Sequence, residues 1–194
     1  MASFDAAWQH FYPVVPPLSF IMREAALPWV RFHYLPGSKR YAESHVEYEG
    51  VLQRLSTLAK MIFDPGEDCW IVRCESPFAG GSKQRAGAKS RFMELHPCKS
   101  STRIGEVRLE DGEEIWSAYA AKCSWDFIGS RQLLIAIADD MTDGKDWTLW
   151  FSARSGRVYA PYDGGIDIFS NSIDWIGSLR DSFPDWLSND ASGL

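Results

Sequence analysis

A chain of 194 residues with 45% hydrophobic and 24% charged side chains has a globular balance and the length of one ordinary domain, which excludes disorder and a string of separate cores. A formal net charge of −6 excludes non-specific affinity for nucleic acid or an anionic membrane, because both demand a basic surface. No apolar run approaches the roughly 20 residues needed to cross a bilayer. The N-terminus lacks a basic region and is broken by Pro13, Pro16 and Pro17, so it does not read as a signal peptide and the expected setting is the cytoplasm.

Residues 1–17 read as a short helix and a proline-rich connector. WVRFHYL (29–35) is a strand stopped by Pro36-Gly37, with Trp29, Arg31 and His33 on one face and Val30, Phe32 and Tyr34 on the other. Ser44 and Glu47 form a capping box ahead of Val51, Leu52, Leu55, Leu58, Ala59 and Ile62, whose spacing predicts a helix over 45–63. CWIVRC (69–74) is a short strand, and 76–90 is a polar loop expected to be mobile.

After a turn at Glu110-Asp111-Gly112, EIWSAYAAKCSW reads as a strand and 126–141 as a helix. DWTLWFSA, VYAPY and IDIF follow as strands, their turns relying on Gly for positive φ. Ser170, Asn171 and Ser172 offer N-caps to a helix that turns Ile173, Ile176, Leu179 and Phe183 inward, and Pro184 opens a last turn. Strands and helices mix without a βαβ repeat. The expected fold is α+β: a single domain over 1–194, with a mostly antiparallel sheet packed by two or three helices.

Near-motifs fail at named positions. GSKQRAGAKS (81–90) has five residues between its glycines and Ala88 before Lys89, so it is not a phosphate loop. A calcium loop from Asp139 would need a ligand at Met141 and a carboxylate at Trp150. The four cysteines, Cys69, Cys74, Cys98 and Cys123, lack zinc spacing and are expected to be free thiols. No catalytic residue, metal or cofactor is expected.

Two polar sets remain. Arg31, His33, Ser38, Lys39 and Arg40 could converge on a carboxylate or phosphate, in a small-molecule site or an enzyme of unknown activity. Glu110, Asp111, Glu113, Glu114, Asp139, Asp140, Asp143 and Asp146, with Tyr162 and Asp163, could form an acidic face that attracts a basic protein.

WVRFHYLPGSKRYAESHVEYEGVLQR (29–54), GRVYAPYDGGIDIF (156–169) and DSFPDWL (181–187) together resemble the bacterial domain-of-unknown-function family 3885. The resemblance implies a bacterial, cytoplasmic protein and brings no activity with it. The C-terminal strand pair and helix are also similar to SMI1/KNR4-like immunity proteins, which neutralise toxins. With the acidic charge and nine Trp, the expected function is a non-enzymatic binding protein, an immunity protein that occludes a basic toxin domain.

Overall fold

The computed structural model describes residues 3–77, 92, 94–96, 102–109, 114–141, 144 and 146–188. The loop expected at 76–90 falls almost entirely outside them, as do Cys98, Glu110, Asp111, Glu113 and Asp143.

Among the described residues the strands are β1 (Trp29–His33), β2 (Asp68–Glu75), β3 (Thr102–Arg108), β4 (Ile115–Ser124), β5 (Asp146–Phe151), β6 (Val158–Tyr162) and β7 (Gly165–Phe169). They make one sheet in the order β1-β7-β6-β5-β2-β4-β3, antiparallel at every pairing. The helices are α1 (Phe4–Phe11), α2 (Ser19–Glu24), α3 (His45–Lys60), α4 (Phe127–Ala138) and α5 (Ile173–Ser182). The expected α+β class and antiparallel sheet hold.

Helices cover both faces of the sheet. One core joins Leu55 and Leu58 of α3, Leu134 of α4 and Ile176 and Leu179 of α5 to Phe32, Ile71, Trp150 and Ile168. The other sets Phe4 and Trp8 of α1 and Met22 of α2 against Val72, Leu149, Phe151 and Val158. A sheet buried on both sides needs strands apolar on both faces, and β7 is buried at all five positions. Strand β1 divides as its alternation predicts, with Val30, Phe32 and Tyr34 in the first core and Trp29 against the second.

Local signals account for most boundaries. Ser44 Oγ accepts from the Glu47 N–H at the start of α3, and the Glu47 carboxylate reaches back to the Glu43 N–H, one residue before the expected box position. Ser172 caps α5, but Ile173 is 73% exposed: the buried stripe starts at Ile176, three residues on.

The glycines act differently at the two C-terminal turns. Gly156 has φ +73°, as expected, whereas neither Gly164 nor Gly165 adopts a positive φ. Gly165 is needed for close approach, because a Cβ there would lie 2.2 Å from the Phe32 carbonyl oxygen. At Gly156 a Cβ would meet the Phe11 ring at 2.3 Å, beside the carbonyl that accepts from Tyr12 Oη. Gly156→Ala is therefore expected to cost about 2 kcal/mol through overpacking and left-handed strain, read as a lower urea midpoint; an unchanged midpoint would mean that α1 is not held against this turn.

Candidate functional site

The β6–β7 turn and the end of β1 gather the basic block, and its charges meet carboxylates of the protein itself. Asp167 stands opposite Arg31 in the β1–β7 register and is wholly buried. It accepts from Arg31 Nε at 2.7 Å and Nη2 at 2.9 Å, and from Arg23 Nη1 of α2 at 2.6 Å. The Arg31 guanidinium lies 4.5 Å over the Tyr162 ring. Arg40 pairs with Asp163, which also accepts from Tyr41 Oη at 2.9 Å.

Lys39 turns away from this group. Its ammonium lies 3.0 Å from Glu43 and 2.7 Å from Glu47 at the start of α3. Ser38 adopts φ +57° in the turn before it. His33 pairs with Gly165 across the strands, and its buried Nε2 has no hydrogen-bond partner among the described residues. Burial first, and the Arg31 charge after it, keep His33 below the usual imidazole range. The structure thus brings Arg31, His33, Arg40 and Asp163 to one turn and places Lys39 elsewhere.

A second buried ion pair lies on the other face of the sheet. Arg73 of β2 donates to Asp146 of β5 at 2.6 Å and to Glu75 at 3.1 Å, and its guanidinium lies 4.7 Å from the Tyr119 ring centre. Nearby, His96 is completely buried, with Nε2 3.1 Å from Thr148 Oγ1. Asp146, read from sequence as part of an acidic surface, is 9% exposed.

Beside Asp146 and the β6–β7 turn lies a small cleft of about 30 Å³. The end of α4 and its turn supply Ile137 and Asp140, the start of β5 supplies Asp146 and Trp147, and the β6–β7 turn supplies Tyr162 and Asp163; Phe92 completes the wall. Asp140 accepts from the Gly144 N–H at 2.6 Å, and Trp147 Nε1 donates to the Gly144 carbonyl at 3.0 Å, which joins the α4 turn to β5. Exposed Asp139, held by Tyr48 Oη at 3.1 Å, stands next to Asp140. Asp140, Asp146 and Asp163 thus line the cleft and Asp139 adjoins Asp140; Asp146 is paired with Arg73 and Asp163 with Arg40.

Of the partner-binding set predicted from sequence, Asp140, Asp146, Tyr162 and Asp163 line this cleft together. Glu114 does not join them; its carboxylate accepts from Trp116 Nε1 at 3.2 Å. Roomier grooves of about 490 and 280 Å³ lie beside β3, against α2 and α1, and the buried ion pairs do not line them. Sequence reading missed Arg23, Arg73, Trp147 and Asp167. A signal existed for the last: one acid inside the apolar IDIF run demands a buried partner.

Among the described residues no group of three or more His, Cys, Asp or Glu could hold a metal ion, and no helix is long and apolar enough to cross a membrane. A family model described as "Domain of unknown function (DUF3885)" matches residues 19–191. No curated protein matches, and no solved structure matches.

Proposed function

Because this chain belongs to the DUF3885 family, whose description names no activity, we propose its role from the cleft: a non-enzymatic binding protein of the immunity type. It occludes a cognate toxin by receiving a basic side chain of that partner among Asp140, Trp147, Tyr162 and Asp163. The reading includes a bacterial, cytoplasmic setting, in which the inhibitor meets its toxin before harm is done.

The observation that carries the proposal is the cleft's size together with its lining. Sites that enclose a small-molecule substrate commonly span about 300–1,000 Å³. A cleft of about 30 Å³ takes only the tip of one side chain. Aromatic rings beside carboxylates suit a guanidinium or ammonium group, which gains from both the ring face and the charge. The alternative, a small-anion site or enzyme built on Arg31, His33, Lys39 and Arg40, receives less support, because Arg31 is paired with wholly buried Asp167 and Lys39 turns away to Glu43 and Glu47, so the basic set does not converge.

Co-expression with the product of the neighbouring open reading frame tests the proposal. A complex that survives moderate salt, together with relief of that product's toxicity, is the expected result. Asp139→Lys combined with Asp140→Asn is expected to weaken association about tenfold or more, chiefly through a slower and less salt-dependent on-rate. A harmless neighbour, or an affinity indifferent to the double substitution, would count against it.

A further inference from the structure

We propose that Cys69 and Cys123 form a reversible dithiol latch, closing to a disulfide when a hydroperoxide reaches the protein.

The two cysteines are directly opposed in the antiparallel β2–β4 register. Opposed antiparallel residues have Cα atoms about 4.5–5.5 Å apart, within the span a disulfide accepts. The sulfurs are 3.5 Å apart, so bonding requires an approach of about 1.5 Å, within reach of small χ1 adjustments. Cys74 provides an internal contrast. It is buried on β2 as well, but its sulfur lies 3.3 Å from the Pro17 carbonyl oxygen and it faces Ala118 rather than a cysteine.

The pair is also asymmetric in a useful way. Cys123 is half-buried, whereas Cys69 has no exposed surface. With Cys69 as donor in the sulfur–sulfur hydrogen bond, that bond holds Cys123 below the ordinary thiol range and pushes Cys69 above it. The accessible sulfur is therefore the nucleophile and the buried one resolves the product.

In the first step the Cys123 thiolate attacks one peroxide oxygen. An S–O bond forms, the O–O bond breaks, and the departing alkoxide or hydroxide takes up a proton. This leaves a sulfenic acid on Cys123. In the second step the Cys69 sulfur loses its proton and attacks the Cys123 sulfur. The S–S bond forms, the S–O bond breaks and water leaves. Two thiols and one hydroperoxide give one disulfide, one alcohol or water from the peroxide, and one further water. The two sulfurs are oxidised by two electrons in all.

The bond would close residues 70–122 into a covalent loop that contains β3 and most of β2 and β4. Cross-linking so long a segment restricts the unfolded chain, so the latch stabilises the sheet.

The experiment treats the purified full chain with hydrogen peroxide, then alkylates remaining thiols and measures intact mass and peptide maps. Two of the four thiols should become unavailable in a monomer two hydrogens lighter, the map should join Cys69 to Cys123, and dithiothreitol should restore both. The thermal midpoint of the oxidised monomer should rise on the order of 10 °C. In Cys69→Ser, a dimedone adduct should trap on Cys123 in place of the disulfide. A cross-link through Cys74 or Cys98, an intermolecular disulfide only, or persistence of all four thiols would overturn the proposal. So would a mapped Cys69–Cys123 bond that leaves the midpoint unchanged. Should Cys69→Ser not fold, the wild-type map and midpoint decide alone.

Discussion

Replacing Asp167 by alanine is expected to cost about 3–5 kcal/mol of folding free energy, because it leaves two partly buried guanidinium groups without their carboxylate. Asp167 has no exposed surface, and the side chains of Arg31 and Arg23 are 11% and 20% exposed. The two oxygens take three N–H bonds between them, so little of their capacity is left for water. Asp167→Asn keeps the volume and loses the charge, and should fall between wild type and alanine. Arg31→Met with Asp167→Leu should cost less than alanine alone, since matched apolar groups replace a buried pair at little penalty and Arg23 can swing its head to solvent. Urea unfolding followed by Trp fluorescence measures all three. A loss under about 1 kcal/mol for alanine would show the cluster to be solvated, as surface pairs are. Arg31 also lies over Tyr162, which lines the cleft, so a stable Asp167→Asn variant should bind the partner proposed for the cleft more weakly than its unfolding data alone imply.

The residues that were legible from sequence are those whose instructions are local. The alternation of β1, the capping serines at 44 and 172 and the helical stripe from Val51 to Ala59 each state their own conformation, and each is realised, although the helix ends at Lys60 and leaves Ile62 in the turn beyond it. Helix α2 escaped notice because it is six residues long, is preceded by Leu18, which offers no side-chain cap, and follows three prolines. Strand β3 escaped for the opposite reason. It is an edge strand, mostly exposed, and a register shift near Gly105 breaks its alternation. The two-layer covering of the sheet was readable in principle: VYAPY and GIDIF are apolar without alternation, which is what burial on both faces produces.

The cleft was only half legible, and the missing half is long-range. The acids of 139–146 and the Tyr162-Asp163 turn were visible as polar sets, but their meeting depends on α4 ending beside the start of β5 and the end of β6. Arg31 and Asp167 are 136 positions apart, and Arg73 and Asp146 are 73 apart; no spacing rule reaches that far. Composition likewise ranked Asp146 with its acidic neighbours. Pairing with Arg73 is what allows it, alone of the described members of that acidic set, to be buried.

Stability is expected to fall as pH drops below about 6.5, and His96 carries a separable share of that fall. Its ring is wholly buried, with Nε2 3.1 Å from Thr148 Oγ1 and the Phe92 ring 5.6 Å away. Burial first, and the Arg73 charge second, bring its pKa down to about 3. The unfolded chain binds this proton near pH 6.5, whereas the folded chain refuses it until about pH 3. Between those values the unfolded state holds more protons, so acid favours it, and the contribution is fully present only above pH 6.5. At about 1.4 kcal/mol per unit, roughly 3 kcal/mol is lost by pH 4, and this group adds no further loss below pH 3. His33, held low by burial and by Arg31, acts in the same direction and remains in the control. His96→Gln keeps a polar group near Thr148 and removes the titration. The variant should be the less stable protein at pH 7, and that gap should close or invert by roughly 3 kcal/mol at pH 4. A gap that does not change with pH would mean that His96 titrates alike in both states, and that the Arg73–Asp146 pair beside the cleft does not have a dry histidine next to it.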